Sequence, residues 1–418
     1  MRPVSQFKIF AFCLLTLPSC GQNRYESNPE HIIKPVNTEN KTVAIQEKKQ
    51  YRFPESTLTV DNEFEGARLN GASLTGNTLS LIIEPENVPI NGSSWYAFRI
   101  TSRKKQMITI ELNYSQASHR YQPKWSSNGV SWKPVDKKLI RQDNEGRKVW
   151  FDLRVPAGTL WIAGQEVIPS GKVIGWCRKM DRWSRVRYSI IGTSVMDRVI
   201  PCLDIYEGKK ENKQIIAILG RQHPPEVTGY FALQEFVERL LRHENASLFF
   251  RKYRVIVLPL INPDGVDMGH WRHNANGVDL NRDYAQYHQP EIKAVKDALV
   301  EAAAESKSTV LMGLDFHSTY EDVFYTNRED KGVNSAHIKD AWLASIQKKL
   351  KQHNYKLKEE KHSVYSNASA QHWFYHEFKA VGITYEIGDD TPREFITVKA
   401  RASADALISI LLKELVNK

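Results

Sequence analysis

At 418 residues, 25% of them charged and 41% hydrophobic, the chain is too long for one small domain and too polar for a multi-span membrane protein. Its formal net charge is +10, from 58 Lys and Arg against 48 Asp and Glu. The basic residues are scattered and no nucleic-acid motif accompanies them, so the excess reads as a solvated surface and excludes a nucleic-acid-binding stripe.

Residues 1–19 form a charged start (Arg2, Lys8), the short apolar run IFAFCLLTL and a small-residue break. Such a segment is a signal peptide, too short to stay in a bilayer as a spanning helix. Leu17-Pro18-Ser19-Cys20 resembles a bacterial lipobox. The resemblance implies lipidation of Cys20 and a membrane anchor in the bacterial envelope. If the cell is Gram-negative, Gly21 rather than Asp after the cysteine implies the outer membrane. An ordinary secretion signal, giving a secreted or periplasmic protein, is the alternative. Residues 20–50 are polar and aperiodic and suit a flexible tether. With Cys13 lost and Cys20 acylated, Cys177 and Cys202 remain, as one disulfide near the domain junction or as free buried thiols.

Residues 51–170 alternate apolar and polar positions in TLSLIIEP, SWYAFRITS, MITIELNY and KVWFDLRVP, with turns such as LNGAS and SSNGVSW between some of them. An antiparallel β-sandwich is expected. Its aromatics (Trp95, Tyr96, Phe98 and Phe151 among them) are expected to fill the core rather than bind carbohydrate.

From 171 to 418 the pattern changes. After GWCRKMDRWSRVRY, read as a connecting segment, KQIIAILG, RVIVLPLIN, TVLMGLDF and VGITYEIG read as buried strands. Helices are predicted over 229–243, 290–305, 338–353 and 400–416. The expectation is an α/β domain with helices on both faces of a parallel or mixed sheet.

The polar residues at the ends of those strands carry the functional reading. They are RQHPPE, then NPDGVDMGHWRHNANGVDLNRD, then HSTYED, with Glu386 inside the last strand. Ligands bind outside the C-terminal ends of strands in open α/β sheets. His223, Glu226 and His317 offer two nitrogens and an oxygen, which leaves a fourth tetrahedral position on zinc open for water or substrate. Pro224 and Pro225 stiffen the elbow between the first two.

HPPE, NPDG, GVDLNR, DFHS and YEIGD, in that order, resemble the zinc carboxypeptidases of the funnelin type, peptidase family M14, over about residues 180–418. The short spacing in GHWRHNANGVDLNR and the WYAFRI strand upstream are similar to the cytosolic carboxypeptidase-like subgroup. The resemblance implies an N-terminal sandwich followed by an α/β/α catalytic domain with a mixed sheet. It implies one zinc ion on His223, Glu226 and His317, and Glu386 as the base that activates the zinc-bound water. It also implies Arg272 as oxyanion stabiliser, Asn281 and Arg282 as the grip on a terminal carboxylate, Tyr365 as a mobile substrate-binding tyrosine and Asp279 as the carboxylate orienting His223.

The reaction so implied is hydrolysis of the C-terminal peptide bond of a peptide. Cleavage of cell-wall stem peptides, with a muropeptide as substrate at a γ-D-glutamyl–diaminopimelate bond, is the alternative. Ala370, Gln371 and His372 stand where the subgroup's basic specificity residue is expected, so removal of glutamate chains does not carry over. The intact DLNR stretch argues against an aspartoacylase-type deacylase. A non-catalytic zinc- or wall-binding lipoprotein is the reading of another class. Asn262–Gly265 is expected to be a structural turn, and His270 and His273 to hydrogen-bond within their loop. Asp389 and Asp390 are expected to be solvated, and residues 351–362 to lie on the surface.

Overall fold

The computed structural model describes residues 41–416 apart from 55, 330 and 334. The signal segment and Cys20 lie outside the described residues. Residues 41–50, read as the end of a tether, lie against the sandwich. Gln46 is buried, its amide donating to Ala67 O and Met268 O and its Oε1 accepting from Asn62 and the Leu69 N–H.

The first body is a sandwich of two sheets. One runs Gln50–Arg52, Leu58–Asp61, Ala97–Ser102, Gly158–Ala163, Lys124–Ser126 and Lys133–Pro134 across its width. The other runs Gly71–Thr75, Thr78–Ile83, Gln106–Tyr114, Lys148–Val155 and Ile140–Gln142. Pairing is antiparallel except between Thr78–Ile83 and Gln106–Tyr114, which run parallel. The period-two burial of Ile108, Ile110, Leu112 and Tyr114 is what one covered face requires. Trp95, Tyr96, Phe98 and Phe151 lie in the core between the sheets, as expected of the aromatics.

The segment read as a connector holds an α-helix, Ser170–Met180, with Val173, Trp176, Cys177 and Met180 buried on one face. Cys177 and Cys202 are both buried free thiols.

The second body is an eight-stranded mixed sheet. Its order is Val186–Thr193, Val199–Ile205, Tyr253–Leu258, Gln214–Gly220, Val310–Thr319, Val381–Gly388, Val323–Asn327 and Glu359–His362. The four central strands run parallel and are the four read from the sequence. Their side chains divide between two layers. Ile216 and Ile218 pack with the helix Val227–Arg242, while Ile215, Ala217 and Leu219 pack with Pro290–Ser306 and Ala370–Phe378. Both faces are therefore covered, which is why these strands are nearly all apolar. The helices Ala336–Leu350 and Arg393–Val416 complete the layer on the first face. The last helix begins seven residues before the predicted start, and residues 359–362 of the expected surface stretch form an edge strand.

The two bodies share a buried seam, and there Asp389 departs from expectation. It is buried, and Arg120 of the sandwich grips its carboxylate from Nε at 2.7 Å while donating from Nη2 to Ser318 O at 3.0 Å. Gln165 donates to the Asp389 carbonyl. The DDTP turn looked solvated because its cation comes from the other half of the chain.

Candidate active site

The strand Gln214–Gly220 delivers His223-Pro224-Pro225-Glu226, and Glu226 immediately precedes the helix Val227–Arg242. Gly229 in the first turn lies so close to strand Val310–Thr319 that a Cβ there would run into the His317 carbonyl. Only a residue without a side chain lets helix and strand approach this far, and the approach brings Glu226 onto His317. Ser318 reinforces it by accepting from Thr228 Oγ1 and from the Gly229 N–H.

His223 Nδ1 lies 2.9 Å from Glu226 Oε1, and His317 Nδ1 lies 2.6 Å from Glu226 Oε2. The Nε2 atoms face carboxylates instead, His223 to Asp279 at 3.0 Å and His317 to Asp315 at 2.7 Å. Each Nε2 donates to a carboxylate that only accepts, which leaves Nδ1 as the ring atom turned toward Glu226 and the one that would face a metal ion. The ligand atoms of His223, Glu226 and His317 lie within 4.8 Å of one another, all three residues buried. Two imidazole nitrogens and one carboxylate oxygen, each histidine backed by a carboxylate, form a donor set that zinc accepts with a position to spare. Burial pushes the Glu226 carboxyl up, but His223 and His317 outweigh it and hold the group well below its usual range.

Glu386 sits beside this cluster. Its strand pairs in parallel with Val310–Thr319, with Glu386 opposite His317. It is buried, and its Oε2 has no hydrogen-bond partner among the described residues. Burial, and then repulsion from Glu226, push its carboxyl upward, against opposing pulls from His317 and Arg120. A buried, unpartnered carboxylate oxygen is costly unless it has work to do there.

Asp279 holds three groups. Its carboxylate accepts from His223, from Arg272 Nε at 2.7 Å and from the Asn281 N–H at 3.0 Å. The short turn Leu280–Arg282 that follows presents Asn281 and Arg282, with Asn281 Oδ1 accepting from the Ala370 N–H. The structure thus gathers His223, Glu226, His317, Glu386, Arg272, Asp279, Asn281 and Arg282 at one edge of the sheet. Tyr365 stands apart, its ring edge-on to His376 at 5.4 Å, and no hydrogen bond ties it to the cluster among the described residues. Gln371 is buried, accepting from Thr384 and donating to Asn327 in a neutral network. Asn262 caps its turn by accepting from the Gly265 N–H, and His270 and His273 hydrogen-bond within their loop and to Asn87.

Two participants went unread in the sequence. Asp315 had a signal, two residues before His317 on a strand and hence on its face. Gln222, which donates to Asp315 at 2.7 Å, had only its place beside His223.

The family described as zinc carboxypeptidase matches residues 174–405. Cytosolic carboxypeptidase 6 of Homo sapiens is 30% identical over 151 residues, 34% of this chain and 29% of that protein. A metallo-carboxypeptidase from Burkholderia cenocepacia superposes on 85% of this chain and 100% of its own, with a TM-score of 0.71 at 17% identity. A Pseudomonas aeruginosa metallo-carboxypeptidase in complex with (2-guanidinoethylmercapto)succinic acid does so over 84% of this chain and 98% of its own (TM-score 0.69, 18% identity). These two show the shared fold. The matched stretches span 64% and 29% of the length of two curated relatives, less than two thirds of each.

Proposed function

This chain belongs to the zinc carboxypeptidase family, and from that premise we propose that it hydrolyses the C-terminal peptide bond of peptides outside the cytoplasm. The observation that carries the reading is the unpartnered Oε2 of buried Glu386, set opposite His317 beside the His–Glu–His donor cluster. His223, Glu226 and His317 would hold a zinc ion, which when bound would supply the Lewis acidity for a carbonyl and for a nucleophilic water near neutral pH.

The rest falls to side chains. Glu386 takes the proton of the attacking water at Oε2 and returns it to the leaving amine nitrogen. Arg272, held at Nε by Asp279, turns the rest of its guanidinium toward the oxygen on which charge develops. Arg282 and Asn281 grip the free carboxylate of the terminal residue, a group that suits a planar guanidinium. The neutral Gln371–Thr384–Asn327 network supports acceptance of uncharged rather than acidic terminal side chains. Tyr365 is assigned a substrate contact in a closed state. The extracytoplasmic site of action rests on the signal-like residues 1–19 and the lipobox-like Cys20; a Cys20→Ser variant that still partitions with membranes would count against lipidation.

The test is the full-length protein, wild type and Glu386→Gln, given a mixed peptide library and muropeptides, with zinc content and released products read by mass spectrometry. Release of single C-terminal residues by wild type alone, with zinc in both proteins, supports the reading. Cleavage of muropeptides only moves the substrate to the cell wall. Zinc bound and nothing cut overturns the catalytic assignment in favour of a binding protein.

A further inference from the structure

The loop that carries Arg272 is held from the sandwich. Glu86 is fully buried, and its carboxylate accepts three successive main-chain N–H groups: Trp271 at 2.7 Å, Arg272 at 3.0 Å and His273 at 2.8 Å. The flanks are fastened too. Arg68 donates to Gly269 O at 2.7 Å, and Asn87 donates to Gly277 O and accepts from His273 Nδ1. The Trp271 side chain is buried within the sandwich core. Gly269 adopts φ 69°, and a Cβ there would collide with the Ala67 carbonyl. Loop and sandwich are pressed together where only glycine fits.

The catalytic half steers the other end of the arginine, through the Asp279 carboxylate on Nε, and also holds the loop where Asn262 donates to His273 O and Asn274 donates to Gln289. We infer that Glu86 is a positioning residue for the proposed reaction: it fixes the backbone of Arg272 so that the guanidinium, steered by Asp279, meets the oxyanion. The inference rests on the role proposed above for Arg272. It also makes the sandwich a working part of the active site.

The physical case is one of matching. A carboxylate offers about four lone-pair directions and accepts several N–H groups at once. A glutamine in its place has one acceptor oxygen and an NH₂ that would face donors. Burial pushes the Glu86 carboxyl up, but the His273 hydrogen bond and the nearby His270 and Arg68 hold it well below its usual range. It is therefore ionised, and the turn of N–H groups is built around a charge. Loss of that charge frees the backbone at 271–273, and a misplacement on the order of 1 Å costs about 100-fold in rate.

The test is a double-mutant cycle on the full chain loaded with zinc, using a peptide that wild type cleaves. Glu86→Gln lowers kcat about 30- to 300-fold with KM within about threefold, approaching the loss in Arg272→Ala. In the Arg272→Ala background the same substitution changes kcat less than about threefold, because the group it positions is gone. Glu86→Asp, which keeps the charge, shows the same pattern at smaller amplitude and serves if Glu86→Gln does not fold. Ile110→Val, a sandwich-core change that leaves Glu86 and its hydrogen bonds in place, leaves kcat unchanged and excludes general loosening as the cause. Equal losses from Glu86→Gln in both backgrounds, or none in either, overturn the inference. If wild type cleaves no peptide, the proposed function fails. The inference then stands on hydrogen exchange over 269–277, expected at least about tenfold faster in Glu86→Asp with strand Val310–Thr319 unchanged. Unaltered exchange there overturns it.

Discussion

His317 and Glu386 face each other across a parallel strand pair, register partners on Val310–Thr319 and Val381–Gly388. Pairing register is rigid because a slip of one residue would turn every side chain to the other face. A candidate metal donor and the proposed base are thereby set side by side by a regular parallel strand pair. Glu386→Gln keeps the shape and removes the basicity. It should retain zinc and lose at least about 100-fold in kcat, measured as turnover per bound zinc.

Asp315 and Asp279 back the two histidines in the same way but differ in what else they hold. Asp315 accepts from His317 and Gln222, whereas Asp279 also holds Arg272 and the Asn281 backbone. Asp315→Asn should weaken zinc binding about 10- to 100-fold, measured by competition with a chromogenic chelator, and leave kcat of the loaded protein near wild type. Asp279→Asn should do both kinds of damage. Equal kcat for the two loaded variants would contradict the division.

Zinc removal should also cost stability, because the cluster buries Glu226 between His223 and His317. At a free concentration of 100 times Kd the ion contributes about 2.7 kcal/mol. Chelated protein should melt earlier, and added zinc should restore both Tm and activity. An unchanged Tm would mean that the donors do not bind the ion in the folded state.

The Arg120–Asp389 pair joins the sandwich to the end of the Glu386 strand, with both side chains about 5–6% exposed. Removing one member strands a buried charge, which typically costs about 3–5 kcal/mol. Arg120→Ala and Asp389→Asn should each destabilise by about 3 kcal/mol in urea unfolding. The double variant should lose less than the sum. Additive losses would mean that the two groups are independent.

How much of this was legible in the sequence follows the same lines. The central strands could be read because burial on both faces leaves them apolar from end to end, so His223, Glu226 and His317 stand out at their tips. The strand Val186–Thr193 buries only Val186 and gives no such run. The helix Ser170–Met180 has no side-chain cap and interleaves Lys172, Arg178 and Lys179 with its buried face. The seam was illegible for another reason. Glu86 meets Arg272 across 186 positions and Arg120 meets Asp389 across 269, and no local pattern announces such a pairing.

Glu291 permits a pH test away from the metal. It is buried at the start of the helix Pro290–Ser306, accepting from Asn274 and the Val195 N–H. Burial pushes its carboxyl from 4.5 up to about 7, against the pull of those hydrogen bonds. The folded state therefore holds this proton more tightly than the unfolded chain. Between pH 4.5 and 7 the unfolded chain binds fewer protons, so the group lowers stability as pH rises through that window, and the loss levels off above 7. A shift of this size corresponds to about 3 kcal/mol at 1.36 kcal/mol per pH unit. Glutamine cannot ionise, yet its Oε1 can still accept from Asn274. Whatever its stability at pH 5, Glu291→Gln should gain about 2 kcal/mol relative to wild type between pH 5 and pH 8. Urea unfolding at the two pH values measures that difference directly. Parallel pH profiles for the two proteins would show that Glu291 is ionised in the folded state across the whole range.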